Sequence, residues 1–115
     1  MGQYIVIMST CPDDEQARSL AAGLVDNGLA ACVNILPNLT SVYCWQNKRE
    51  MGSEVLLMIK TRQSLYADVE QYILNHHSYE VPEIIAVPMI NGSSSYLDWI
   101  DTQTVVSSSA KTSQD

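Results

Sequence analysis

Glu54-Val55-Leu56-Leu57-Met58-Ile59-Lys60-Thr61-Arg62 is the stretch whose reading decides the architecture. As a strand it has a period of two, so Val55, Leu57 and Ile59 face one way and Leu56 and Met58 the other. Both sets are apolar. Ile84-Ile85-Ala86-Val87 repeats the pattern. A strand that is apolar on both sides belongs to a sheet with both faces covered.

Reading outward, Gln46-Asn47-Lys48 is a polar hairpin tip leading into the Glu54 to Arg62 strand. Before it, Ala30 to Ile35 and Thr40 to Trp45 form one long strand, interrupted by Pro37-Asn38. Proline cannot donate to a ladder, which predicts a bulge or bend there. Tyr4 to Met8 is a short buried strand. Pro12, followed by Asp13, Asp14 and Glu15, marks a helix start, because acids suit the positive end of a helix dipole. Ala17, Leu20, Ala21, Leu24 and Val25 form the apolar face of that helix, and Asn27-Gly28 stops it.

Downstream, Ser64 opens a second helix with Leu65, Val69, Tyr72, Ile73 and His76 on one face. Glu83 to Ile90 is a fourth strand, Asn91-Gly92 turns, and Ser95 caps a short last helix carrying Tyr96, Leu97, Trp99 and Ile100. Residues 1–101 make a single domain, and 102–115 are a mobile polar tail. The order β-α-β-β-α-β predicts an α+β, ferredoxin-like sandwich with a short C-terminal helix. Two helices cover one sheet face only, so the second apolar face predicts a homo-oligomer.

The 115 residues are 46% hydrophobic, enough to build a core. A net charge of -7 and a pI near 4.5 give no electrostatic reason to bind nucleic acid. The longest apolar run, Val55 to Ile59, is far short of the ~20 residues a membrane helix needs, so no membrane partner is expected. The first residues carry no signal-peptide pattern, and Cys11, Cys32 and Cys44 are odd in number without C-x-x-C spacing. The expectation is a cytoplasmic chain with reduced thiols. Without a secretory signal, the sequons at Asn38 and Asn91 read as chance matches.

The chemistry-bearing stretch is Asn75-His76-His77-Ser78-Tyr79-Glu80-Val81-Pro82-Glu83. Imidazole with carboxylate suits Cu(II) or Zn(II). Adjacent histidines on a helix point about 100° apart, which works against one ion using both. The structural alternative has His76 packing or capping the helix end and His77 solvated. Cys11 follows the first strand; it is either a thiol activated by a helix N-terminus or a plain cap-region thiol. Lys60 and Arg62 share a strand face as an anion clamp or as ordinary strand-end charge. No Ser-His-Asp or Cys-His arrangement follows from spacing, so no enzyme is expected.

Ala30-Ala31-Cys32-Val33-Asn34-Ile35, Thr40-Ser41-Val42-Tyr43 with Trp45, and Glu54 to Thr61 resemble the divalent-cation tolerance family, CutA. His77-Ser78-Tyr79-Glu80-Val81-Pro82-Glu83 and Tyr96-Leu97-Asp98-Trp99 do so as well, and the match runs in order from Tyr4 to Ile100. The resemblance implies a ferredoxin-like subunit in a cytoplasmic homotrimer related in fold to PII-type signalling proteins. It implies a non-enzymatic response to metal ions, with copper or another divalent cation bound. The alternative it leaves open is a PII-like small-ligand sensor using the cleft between subunits. Tyr43, Trp45, Glu54, Lys60, Tyr79 and Glu80 match positions resembling that cleft. The family usually has proline at the position of Ser78 and glycine at that of Asn47, and some members have cysteine at that of Ser9. Here the thiol is at Cys11. On this basis His77 is the main expected Cu(II) ligand, with His76, Glu80 or Cys11 contributing and with binding weakening below about pH 6.5.

Overall fold

The computed structural model describes residues 3–106. Four strands form one antiparallel sheet in the order β2-β3-β1-β4, from β1 (Tyr4–Cys11), β2 (Cys32–Trp45), β3 (Lys48–Arg62) and β4 (Ile85–Pro88). Helices α1 (Asp14–Asp26) and α2 (Tyr66–His76) follow β1 and β3, and α3 (Ser94–Gln103) follows β4. This is the α+β, ferredoxin-like βαββαβ sandwich with a short C-terminal helix.

The two-sided apolar pattern of β3 works as its period requires. Val55, Leu57 and Ile59 are buried, and they align with Cys11, Ser9 and Ile7 of β1. With Leu20 and Leu24 of α1 and Val69 and Ile73 of α2 they make the core. Leu56 and Met58 lie on the far face, opposite Thr10 and Met8. That face is not wholly bare. α3 lies over one end of it, with Ile100 fully buried, which contributes about 1.5–3 kcal/mol. The Tyr4 hydroxyl donates to Asp101 at 2.7 Å and Arg62 Nε to Thr104 Oγ1 at 2.8 Å. Beyond α3, Leu36, Ile85 and Val87 of the same face are exposed.

Several element ends differ from the sequence reading. β1 runs on from Met8 to Cys11 because β3 keeps pairing with it as far as Val55. β3 starts at Lys48, since the turn is only Gln46-Asn47, both left-handed (φ 51 and 66) as a two-residue hairpin with the right twist requires. The resulting β2–β3 ribbon projects past the sheet with Val42, Tyr43, Trp45 and Met51 exposed, Met51 at 66%. The break at Pro37-Asn38 is a bulge, with the register shifting between Leu36 and Leu39 and Asn38 at φ 65.

Pro12 lies outside α1, whose cap is Asp13, its carboxylate accepting from Gln16 N–H at 2.8 Å. Ser64 does not open α2. Gln63–Leu65 is a 3-10 turn, the Gln63 N–H donates to Gln3 O, and buried Leu65 leads in without a side-chain cap. Ser93, not Ser95, caps α3: its backbone is extended and its hydroxyl accepts from Tyr96 N–H. β4 is only Ile85–Pro88.

The tail reading needs the largest correction. Helix α3 continues through Thr102 and Gln103, and the Arg62 guanidinium holds the Thr104 hydroxyl and the Val105 carbonyl. The Val105 N–H then donates to Gly28 O at 2.9 Å. Residues 102–106 are therefore a docked strap, fixed by an arginine for which the sequence offers an anion clamp or ordinary strand-end charge. Residues 107–115 lie outside the described part.

Candidate functional site

The candidate site forms where α2 ends against the end of β1. His77 is the C-cap of α2: its N–H donates to Ile73 O at 2.8 Å and its extended backbone (φ -86, ψ 144) turns the chain across the sheet edge. One ring nitrogen, Nε2, lies 2.8 Å from Thr10 O, and Nδ1 lies 3.0 Å from Tyr79 N. A carbonyl only accepts and an amide N–H only donates, so these partners assign the neutral Nε2–H tautomer. The next residue is held too, with Ser78 N–H donating to Gln16 Oε1 at 3.1 Å and Gln16 Nε2 to Ser78 Oγ at 2.9 Å. The proline that the resemblance sets at this position has no N–H to give.

Pinned this way, Tyr79 reaches over the end of β1. Its hydroxyl donates to Glu54 Oε2 at 2.9 Å, and its ring sits 4.8 Å from that of His77. Glu54 is available because β1 stops pairing one residue earlier, at Cys11 opposite Val55. Burial first, then the Glu54 bond and charge, push the Tyr79 phenol up to about 12. Cys11 is fully buried, and burial together with the charges of Asp13 and Glu54 pushes its thiol up to about 11. Cys11 ends its strand beside Asp13 and Glu54, surroundings that favour the plain cap-region thiol over the activated one. Tyr43 stays on the ribbon, with its hydroxyl 3.9 Å from where a Cβ on Gly52 would stand.

Other expected site residues lie elsewhere. Trp45 is 61% exposed at the ribbon tip, opposite Lys48, and Glu80 is exposed beyond Tyr79. Lys60 sits opposite Val6 and Cys32, with its ammonium 6.0 Å from the Tyr96 ring. It stands six strand positions on from Glu54, about 20 Å away. Within the chain, then, Glu54 and Tyr79 come together while Lys60 does not join them. A cavity of about 400 Å³ between α1, α2 and the strap takes in none of these residues.

The expected metal ligands also separate. His76 stacks on Tyr72 with ring centroids 4.1 Å apart, and its Nδ1 is 2.7 Å from Tyr72 O. It therefore lies back along α2 while His77 faces Thr10. Both His77 nitrogens are occupied, and the Cys11 thiol is fully buried. Among the described residues no three His, Cys, Asp or Glu side chains gather to hold a cation. The described residues of the chain do not fit a preformed copper site. What the sequence reading missed is Gln16, whose role in holding Ser78 has no local signal.

Fold and site together define a class: a small antiparallel βαββαβ sandwich with a projecting ribbon, and a tyrosine–carboxylate cluster where a helix end meets the sheet edge. The CutA1 divalent ion tolerance model matches residues 5–103. The chain is 48% identical over 91 residues to a CutA homolog from Xenopus laevis, covering 79% of this chain and 60% of that protein. To a CutA protein of Arabidopsis thaliana named as chloroplastic it is 46% identical over 100 residues, covering 87% of this chain and 55% of that one. The chain thus spans a little over half the length of these two relatives. The solved divalent cation tolerance protein of Thermus thermophilus matches with a TM-score of 0.86 at 41% identity, over 89% of this chain and 99% of that one. The chain belongs to the CutA1 divalent ion tolerance family. No helix among the described residues is long and apolar enough to cross a membrane.

Proposed function

We propose that the chain acts as a cytoplasmic, non-enzymatic homotrimer of the divalent-cation tolerance type, meeting divalent cations, Cu(II) foremost, where subunits join. The observation that carries this reading is the uncovered half of the sheet. Leu36, Ile85 and Val87 on its far face, with Val42, Tyr43, Trp45 and Met51 on the ribbon, are an apolar surface of a kind that marks an interaction site. Association also offers Lys60 of one subunit a route to the Glu54 and Tyr79 cluster of another, which a single subunit denies it.

Cu(II) heads the affinity order for nitrogen and oxygen ligands, and exposed His76 with exposed Glu80 supplies such donors at each subunit's surface. Three unpaired cysteines suit a reducing compartment. The non-enzymatic reading is supported by Cys11, whose buried thiol is pushed up to about 11, the opposite of what an activated nucleophile requires.

The experiment is native mass spectrometry at micromolar concentration combined with a copper titration of the wild type and the His76→Ala/His77→Ala pair. A trimer whose copper binding falls in the double variant is expected. A monomer overturns the assembly, and equal binding by both chains overturns the histidine contribution.

A further inference from the structure

Two Asn-Gly pairs lie in the described residues, Asn27-Gly28 and Asn91-Gly92. Such pairs are chemically exposed because glycine has no Cβ to shield its backbone nitrogen from the preceding carboxamide. The structure treats the two differently. Asn27 is the C-cap of α1, its Nδ2 donating to Gly23 O at 2.7 Å, and the Gly28 N–H donates to Val25 O at 3.0 Å. Both reacting groups are tied, and the Val105 strap lies against Gly28. Asn91 and Gly92 are exposed, outside any helix or strand. Among the described residues neither the Asn91 carboxamide nor the Gly92 N–H has a hydrogen-bond partner.

We infer that Asn91 is a site of spontaneous deamidation and isoaspartate formation in this protein, and that Asn27, with the same dipeptide, is protected. The Gly92 nitrogen, giving its proton to solvent base, attacks the Asn91 carboxamide carbon. A new C–N bond closes a five-membered succinimide, and the bond to the side-chain nitrogen breaks to release ammonia. Water then opens the ring at one of its two carbonyls, leaving aspartate or isoaspartate.

Either product adds a negative charge close to the N-terminus of α3, the end of the helix dipole that accommodates it. Isoaspartate also lengthens the backbone between β4 and α3. Ile100 and the Tyr4–Asp101 bond seat α3 from its other end, so the fold survives the change.

The test incubates the full chain in mildly alkaline buffer at body temperature and maps both asparagines by peptide mass spectrometry over time. Asn91 is expected to convert at least about tenfold faster than Asn27, the factor set by one retained hydrogen bond. An Asn91→Gln chain, with circular dichroism confirming its fold, should show no early acid in this segment. Gly92→Ala is the weaker control, because its Cβ would meet Leu97 Cδ2 at 3.0 Å. A ratio below tenfold overturns the inference. So does an Asn91 that stays intact in the protein while a short peptide of residues 89–95 converts.

Discussion

The hydroxyl of Tyr72 on α2 occupies the space that a Cβ on Gly23 of α1 would need, with Tyr72 Cζ only 2.7 Å from that point. The two helices approach through a missing side chain. Elsewhere Gly→Ala in a helix gains about 1 kcal/mol from propensity. At Gly23 the added methyl must displace an aromatic ring on which His76 is stacked, and overpacking costs about 1–3 kcal/mol. Gly23→Ala is therefore expected to destabilise the protein, read as a lower urea midpoint. Adding Tyr72→Phe should recover part of the loss, and a stabilised Gly23→Ala would show that α1 and α2 do not meet in this way.

The Tyr79–Glu54 bond sets an alkaline limit. The phenol is raised from 10.0 to about 12 by burial and then by Glu54, so the folded chain holds the proton more tightly than the unfolded one. Stability from this contact is full below the ordinary tyrosine range and is lost as pH climbs from about 10 through about 12. In an ultraviolet titration Tyr79 should ionise late, and Glu54→Gln should bring it back towards normal. A tyrosine titration unchanged by Glu54→Gln would contradict the contact.

The three thiols should separate by reactivity. Cys44 is exposed on the ribbon, Cys32 is half-buried and Cys11 is fully buried with its thiol pushed up to about 11. Alkylation followed by mass spectrometry should modify Cys44 first and Cys11 only on unfolding. Cys11 labelled at the rate of Cys44 would mean that the end of β1 opens freely.

The strap makes a paired prediction. Gly28 has φ +68, and a Cβ there would stand 2.6 Å from Val105 Cγ1. Gly28→Ala should cost about 1–2 kcal/mol for the left-handed backbone, and more because of Val105. In a Val105→Ala background the cost should shrink, since the two changes share one contact. Equal denaturant shifts in both backgrounds would mean that residues 104–106 do not rest on Gly28.

The element order, both faces of β3, the break at Pro37-Asn38 and the stop at Gly28 were legible in the sequence. Each depends on spacings of two to four residues, which is the range over which periodicity, turns and caps act. Three serines before Tyr96 left the cap of α3 ambiguous, because a cap is chosen by which residue has an extended backbone and the chain must also bury Ile100. The candidate site was legible as residue types but not as a place. Tyr79 meets Glu54 across 25 residues, His77 meets Thr10 across 67, and Tyr4 meets Asp101 across 97. No local pattern encodes such meetings. The tertiary structure alone decided that His77 spends both ring nitrogens on the backbone and that Lys60 lies far from Glu54 within the chain. It also decided that residues 102–106, polar enough to read as a tail, are held down by Arg62, because its bonds to the Thr104 hydroxyl and the Val105 carbonyl outweigh what composition suggests.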